Sequence, residues 1–490
     1  MPRASLRARA CCCCTTAACA ARLTRYLHDV TSRAAILALV CFAASARGDS
    51  PAPSPALAAL LARTDAVAKE VSRLRKLPLK KKIANEVVDR AELRARLEKL
   101  AADHKTADET AAEGLALARW GMLPPDLDYT HMMIDVLADE IAGYYDPETK
   151  KLTISETAGD NPAWAELVLA HELDHGLQDQ AFDLKKFEDL PASEGDAAVA
   201  RHALVEGDGI ALMLEVMFAH EHRPAPWGDP AVVHAIVGAM AASSGDALDR
   251  APLVVRESMI FPYREGFAFV AALRRRAPWS AVDAAFRRPP RSTEQIMHPD
   301  KYLADEKPIA VEAAAAEPPS LAGYAVAHTT VWGELGFQLF LRAHGVTDAV
   351  AAEAAAGWGG DRVIVLARDD DRNSASPRDA ARPGEAGAVD HDPTHAIGLG
   401  RFEWDSEVDA IEAEHAATRA LDDALAGGTV ERAGDTGGRT RWLALDGTEA
   451  WVERRGNSLV LAIGVPARSA DALAADAWTV LAPRAAHASK

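Results

Sequence analysis

The chain has 490 residues, of which 49% are hydrophobic and 6% aromatic, so it is long enough to bury a large core and to form two or three domains. Its formal net charge is −18, and because residues 1–46 hold six arginines and one aspartate, the remainder carries −18 − 5 = −23. A chain this acidic is not expected to bind nucleic acid, since phosphate backbones require a positive protein surface.

The amino terminus has the features of an export signal. Arg33 precedes an apolar run at 34–44, and the small residues Ala44-Ser45-Ala46 end it. We therefore predict a signal segment over 1–46 and an exported protein, periplasmic or extracellular. After removal of that segment no stable transmembrane segment is expected, because the run is too short to span a bilayer.

All six cysteines lie within the first 41 residues. Once 1–46 is removed, no thiol remains for a disulfide, for nucleophilic catalysis or for metal binding, so any metal site must use His, Asp and Glu. Cys41 lacks the leucine and the small residue that precede a lipoprotein cysteine, so a lipid anchor is not favoured. Residues 1–29 make an unusual leader, and we expect translation to begin near Val30.

The rest of the chain divides into three predicted regions, which together indicate an α+β, predominantly helical fold. Residues 47–120 carry apolar residues at helical spacing, broken at Pro78, and could be an inhibitory pro-segment, a lid or a fused helical domain. Residues 121–320 hold the motifs described below. Residues 321–490 contain strand-like runs at 440–445, 449–453 and 458–463 between helical segments, which predicts a small α+β unit with a mobile polar insertion at 369–395.

In the central region, two alternating runs at 141–145 and 151–155 flank Asp146-Pro147-Glu148-Thr149 and predict a β-hairpin. Asn161 as N-cap and Pro162 in the first turn predict a helix, and a second long helix is expected after Ser193. Further helices are predicted over 230–243, 264–275, 331–343, 406–425 and 470–481.

The first of these helices contains "HELDH". Residues four apart share a helix face, so His171 and His175 can direct two imidazoles at one ion while Glu172 lies beside them. Zn²⁺ suits two imidazoles, and a zinc-bound water has a pKa that falls toward ~7, so Glu172 could take its proton as the water attacks a carbonyl.

The pattern is specific. With 16 histidines in 490 positions, an HExxH pattern is expected by chance roughly 0.04 times in a chain of this size. The alternative is that both histidines are ordinary surface residues of a helix whose core side is Leu169, Leu173 and Leu177.

A third ligand is required. The metzincin pattern needs glycine at 178 and histidine at 181, whereas the chain has Gln178 and Ala181. Glu206, in "ALVEGDG" 31 residues after His175, is the better candidate, because a carboxylate neutralises the ion and leaves a water site open. His202, one turn earlier on the same face, is an alternative ligand, and a solvated role for Glu206 is the other possibility.

On these residues the chain resembles the gluzincin zinc metallopeptidases, the class that includes thermolysin. The pattern "GYYDP…HELDHGLQDQ…LVEGDG" is similar to an exported, uncharacterised bacterial branch, and "STEQIMHP" extends the resemblance over 141–302. The resemblance implies a zincin-like core with a strand-containing lobe over the helix pair. It also implies that His171, His175 and Glu206 are zinc ligands and that Glu172 is the general base.

One position departs from the thermolysin pattern. Ile210 stands where an aspartate orients a ligand histidine, so Asp208, Asp179 or Asp174 would have to do so. His298 or Tyr263 could stabilise an oxyanion, with a surface capping motif as the alternative for "STEQIMHP". The hairpin edge could pair with an extended peptide, although Tyr144 and Tyr145 could equally be packing residues.

The sequence thus predicts an exported zinc-dependent metallopeptidase that cleaves a peptide or protein substrate by Glu172-assisted attack of zinc-bound water. A catalytically silent zinc-binding scaffold and a zinc hydrolase of a non-peptide substrate are the alternatives. The intact Glu172 favours catalysis, because structural zinc needs no general base.

Overall fold

A computed structural model describes residues 55–156, 162–241, 246–314, 319–368, 393–425, 431–435 and 438–484. The predicted export segment 1–46 with its six cysteines, the Asn161 cap and nearly all of the insertion 369–395 lie outside these residues.

The helices, in chain order, are α1 (Pro55–Ala62), α2 (Thr64–Arg75), α3 (Arg90–Ala101), α4 (His104–Arg119), α5 (Tyr129–Glu140), α6 (Pro162–Phe182), α7 (Leu184–Glu188), α8 (Gly195–His220), α9 (Pro230–Ala241), α10 (Asp246–Arg250), α11 (Leu253–Arg276), α12 (Ser280–Arg287), α13 (Thr293–Met297), α14 (Pro299–Leu303), α15 (Gly333–Ala343), α16 (Asp348–Ala355), α17 (Glu407–Leu425) and α18 (Ala467–Val480). The strands are β1 (Ala84–Val88), β2 (Gly143–Asp146), β3 (Lys151–Ser155), β4 (Val311–Ala313), β5 (Tyr324–Thr330), β6 (Trp358–Arg368), β7 (Ile397–Trp404), β8 (Glu431–Asp435), β9 (Arg439–Leu443), β10 (Thr448–Arg455), β11 (Ser458–Pro466) and β12 (Leu481–Pro483). The fold is α+β with helices predominating, as the sequence predicted.

A three-stranded sheet of order β1-β3-β2 lies beside the predicted catalytic helix. Strands β2 and β3 form the predicted antiparallel hairpin, and the Asp146 carboxylate closes its turn by accepting from the Glu148 N–H (2.8 Å) and the Thr149 hydroxyl (2.7 Å). Strand β1 corrects the prediction that the 47–120 region is wholly helical. It pairs in parallel with β3, a partner 67 positions later at Ala84↔Lys151, so local helical spacing could not reveal it.

Helices α6, α8 and α11 form the centre of the molecule, and two glycines let α8 and α11 approach closely. A Cβ added at Gly207 would lie 2.1 Å from the carbonyl carbon of Gly266, and one at Gly266 would lie 1.9 Å from the Ala203 oxygen. Only glycine fits at either position while the two helices keep this separation. The contact sets the position of the helix that carries Glu206.

The carboxyl-terminal part is larger than the small α+β unit predicted from the sequence. Its sheet has seven strands in the order β5-β6-β7-β11-β10-β9-β8. The sequence prediction found only β9, β10 and β11, because "WGGDRVIVLAR" (β6) and "IGLGRFEW" (β7) interrupt their apolar runs with glycine and charge. Alternate side chains of β6 face opposite ways, with Ile364 and Leu366 packed toward α18 and Val363 and Val365 in the main core.

The largest hydrophobic core runs from Leu57 to Ile463 and so joins all three predicted regions. The boundaries at 120/121 and 320/321 remain predictions. Among the described residues, each helix is too short or too polar to cross a membrane.

Candidate metal centre

Helix α6 presents the predicted motif. It begins at Pro162, as expected, and His171, Glu172 and His175 are all buried within it, with 3%, 5% and 7% of their surfaces exposed. Leu169, Leu173 and Leu177 are fully buried as well. The alternative in which the two histidines lie on an exposed helix face is therefore wrong.

Helix α8 brings the predicted third residue to the two histidines. Glu206 Oε2 lies 3.1 Å from His171 Nε2 and 3.5 Å from His175 Nε2, and the two Nε2 atoms are 2.9 Å apart. The three side chains form one of the two groups in the described residues that could hold a metal ion. Burial raises the pKa of the Glu206 carboxyl, but the two adjacent imidazoles outweigh it and hold that pKa well below its ordinary value.

Gln178, which stands where the metzincin pattern has glycine, supports His175. The Nδ1 of His175 lies 3.0 Å from the Gln178 Oε1. The Gln178 amide nitrogen is then within 3.1 Å of Asp174 Oδ2 and 3.0 Å of Asp208 Oδ2. Two of the three aspartates proposed to orient a ligand histidine therefore reach His175, but only through an amide.

Arg75, at the end of α2, completes this hydrogen-bonded chain. Its Nε lies 2.8 Å from Asp208 Oδ1 and its Nη2 2.9 Å from Asp208 Oδ2, while Nη1 lies 2.8 Å from Asp283. The Arg75 and Asp208 side chains are both 0% exposed. The sequence did not point to Arg75, because this residue precedes the motif by almost a hundred residues in a region rich in surface arginine.

His171 is held by packing on its other side. A Cβ added at Gly209 would lie 2.6 Å from His171 Cε1 and 2.7 Å from its Nδ1. That Nδ1 atom is buried and has no hydrogen-bond partner among the described residues. Ile210, which follows Gly209 and replaces the aspartate of the thermolysin pattern, is fully buried. A close contact with Gly209 thus positions the His171 ring on this side.

Glu172 lies between the metal group and strand β2. Its carboxylate accepts a hydrogen bond from the Tyr145 backbone N–H. Burial raises the pKa of the Glu172 carboxyl, with a further contribution from Glu206, although His171 and His175 oppose the increase. Glu172 Oε2 is buried without a hydrogen-bond partner among the described residues.

Asp179, the third aspartate considered, fixes the hairpin instead. It accepts from the Tyr145 hydroxyl at 2.8 Å and from the Lys150 ammonium at 2.8 Å. Tyr145 is buried and so is a packing residue that also positions β2. The Tyr144 hydroxyl lies 3.3 Å from Arg96.

The other predicted residues have distinct surroundings. His202 Nδ1 lies 2.8 Å from Glu188, and its Nε2 lies 3.7 Å from Glu206 Oε1, so His202 contacts the carboxylate from outside the three-residue group. The Tyr263 ring stacks on His171 with centroids 6.4 Å apart. His298 lies 3.0 Å from Glu334, whose hydrogen bond raises the pKa of the His298 imidazole.

The second group that could hold a metal comprises Glu294, Glu306 and Asp405. The Lys301 ammonium lies 3.0 Å from Glu306 and 2.6 Å from Asp405, and it also contacts Glu294. A cation already balances these carboxylates, so the group does not resemble an ion site.

A family model described as a domain of unknown function, DUF8575, matches residues 324–474. The match begins at β5 and ends within α18, so it covers all seven strands of the large sheet and excludes the metal group. Comparison of the chain with curated proteins and with solved structures gives no match.

Proposed function

We propose that the protein is an exported zinc-dependent metallopeptidase with a zincin-like core. The observation that carries the proposal is the convergence of His171 Nε2, His175 Nε2 and Glu206 Oε2 beside the buried Glu172. Two imidazoles and a carboxylate are the ligand set of a catalytic zinc site that keeps one position open.

The spacing of the three ligand atoms fits zinc. A tetrahedral ion with bonds of about 2.0–2.1 Å holds its ligand atoms roughly 3.3 Å apart. The three separations here are 2.9, 3.1 and 3.5 Å, which bracket that value.

Bound zinc would supply Lewis acidity toward a water molecule and a substrate carbonyl. Glu172 would accept the proton of the attacking water at Oε2, the oxygen that no described group engages, and deliver it to the leaving amine. The hydrogen bond from the Tyr145 N–H fixes the carboxylate, and burial raises the pKa of the Glu172 carboxyl, which favours its acceptance of a proton. Tyr263, stacked on His171, is the better placed of the two proposed oxyanion donors.

The position of strand β2 favours a peptide as the substrate. It is an edge strand of the sheet, and the Tyr145 N–H points to Glu172. An extended peptide that pairs with this edge would lie along the candidate metal centre, with its backbone oriented by main-chain hydrogen bonds. This favours peptide hydrolysis over hydrolysis of a substrate without an extended backbone.

Metal analysis combined with a proteolysis assay tests the proposal. We expect one zinc per chain, and Glu172→Gln should keep the zinc and lose at least a thousandfold in activity. Glu166→Gln, on the same helix with a partly exposed side chain, is the matched control and should retain activity. Zinc without hydrolysis of diverse peptides would instead support the silent scaffold.

The third ligand and export have their own tests. Glu206→Ala should abolish stoichiometric zinc, whereas His202→Ala should retain it. The reverse result would make His202 the ligand.

For export, amino-terminal sequencing of protein recovered outside the cytoplasm should begin near Arg47.

A further inference from the structure

A cavity of about 440 Å³ opens beside the amino-terminal half of α8. Its walls come from α4, α5, α8, α11, β5 and α15, and most of the lining side chains are apolar, among them Leu117, Trp120, Met133, Val199, Met259 and Trp332. This volume lies within the range of pockets that bind small ligands, about 300–1,000 Å³.

Two helices lead from this cavity to the candidate metal centre. Val199 and Glu206 are seven residues apart on α8, so they share a face and lie about 10 Å apart along the axis. On α11, Met259 lies one turn before Tyr263, the residue that stacks on His171. The cavity wall at Val199 therefore lies about 10 Å along α8 from Glu206.

The segment matched by the domain of unknown function builds one wall. His328 and Thr330 of β5 and Trp332, Leu335 and Leu339 near or within α15 all line the cavity and all lie within residues 324–474. The helical amino-terminal region supplies the facing wall through α4. A pocket where separate parts of a chain meet is a common location for ligand binding.

We infer that this cavity binds bulky apolar side chains of the substrate about three residues from the cleaved bond. An extended peptide advances about 3.3 Å per residue, so about 10 Å corresponds to three residues. The exposed Glu109 at the cavity and the net charge of −18 favour neutral or cationic peptides over acidic ones. The identity of the ligand as a peptide rests on the proposed function.

Peptide profiling tests the subsite. A peptide mixture cleaved by the full chain should show enrichment of Phe, Leu, Met and Trp at the third position on one side of the cleaved bond. Val199→Phe places a larger side chain in the cavity, so the enrichment should disappear and KM for a Phe-containing peptide should rise at least tenfold, with kcat within about twofold. Val408→Phe, at a position 63% exposed, is the matched control and should behave like the wild type.

A binding measurement separates this inference from the proposed function. Metal-free Glu172→Gln protein should bind acetyl-Phe-Leu-amide in calorimetry. Addition of Val199→Phe should weaken this binding at least tenfold. The Glu172→Gln protein should bind acetyl-Glu-Glu-amide only weakly. Leu117→Trp, on the facing wall, is the second variant should Val199→Phe not fold.

The outcomes are distinct. Peptide cleavage without positional preference, unchanged by Val199→Phe and Leu117→Trp, overturns the subsite and leaves the peptidase proposal standing. Binding of the dipeptide amide that Val199→Phe weakens, without cleavage of any peptide, supports the apolar site and overturns the peptidase. The absence of both binding and cleavage overturns both.

Discussion

Arg75 and Asp208 form a fully buried ion pair that ties the amino-terminal region to the candidate metal centre. Two guanidinium nitrogens lie 2.8 and 2.9 Å from the two carboxylate oxygens, across 133 positions of sequence. Asp208 contacts Gln178, and Gln178 contacts His175. Loss of α2 would leave the buried Asp208 carboxylate without its paired guanidinium, so we expect the folded protein to retain this region rather than release it as a pro-segment.

We expect Arg75→Met to lower the free energy of unfolding of the metal-free protein by about 3–5 kcal/mol, because it breaks a buried pair and strands one charge. Zinc affinity should fall as well, because Arg75 no longer fixes Asp208, which accepts a hydrogen bond from the Gln178 amide. Arg75→Lys should recover part of both losses but not all, because an ammonium cannot reproduce the two-pronged contact with Asp208. Denaturant unfolding and chelator competition measure the two quantities.

Arg276→Met is the matched control for that substitution. Arg276 pairs with Asp300 at 2.8 Å, but the side chains are 61% and 91% exposed. An exposed pair contributes within about 1 kcal/mol, so this variant should unfold and bind zinc like the wild type. Equal losses in the two variants would show that Arg75 has no special link to the metal centre.

Gln178→Leu should weaken zinc binding about 10- to 100-fold, the usual range when a residue that orients a metal ligand is removed. The substitution leaves His175 Nδ1 without its acceptor and removes the amide shared by Asp174 and Asp208. Gln338→Leu, which loses a single 3.3 Å contact with Glu334, is the control. Unchanged zinc affinity in Gln178→Leu would mean that His175 is oriented by helix packing alone.

The sequence predicted the parts of the site that depend on local spacing. His171, Glu172 and His175 lie on one helix, where an i, i+4 pattern determines geometry, and Glu206 followed from its residue type and its helix. Arg75 and the Gly209 contact depend on how distant helices pack, which single-residue patterns do not encode. The same reason explains strand β1, whose partner lies on another part of the chain. Asp208 and Asp174 were predicted as support, but the intervening Gln178 was not.

Gly209→Ala and Gly207→Ala should have different effects although they are two residues apart on α8. A Cβ at Gly209 would meet the His171 ring at 2.6 Å, whereas a Cβ at Gly207 would meet the Gly266 backbone at 2.1 Å. A side chain can rotate and a backbone must move, so Gly209→Ala should mainly reduce zinc affinity and activity, and Gly207→Ala should mainly lower the unfolding midpoint. Thermal unfolding and zinc titration of both variants check this; a Gly209→Ala protein with wild-type zinc affinity would contradict the role of the glycine contact.

Stability should depend on pH through Glu294. Burial raises the pKa of this carboxyl to about 7, although Lys301 opposes the increase. The folded pKa is above the unfolded value of about 4.3, so the native state holds the proton more tightly and this group contributes increasing stability as pH falls from about 7 toward 4.3. From pH 8 to pH 5 the wild type should gain on the order of 2 kcal/mol relative to Glu294→Gln. Denaturant unfolding at both pH values measures the difference; a constant offset would contradict the raised pKa.

Zinc removal should destabilise the protein through the three-residue group alone. An ion that binds the native state only, at a free concentration 100-fold above its Kd, adds about 2.7 kcal/mol to the free energy of unfolding. We expect this gain in the wild type and its loss in His175→Ala. Glu306→Gln, in the carboxylate group around Lys301, should retain the gain, because that group already contains a cation. Chelator-treated and zinc-loaded proteins compared by denaturant unfolding give the result. A zinc effect that survives His175→Ala but disappears in Glu306→Gln would place the ion at Glu294, Glu306 and Asp405 instead.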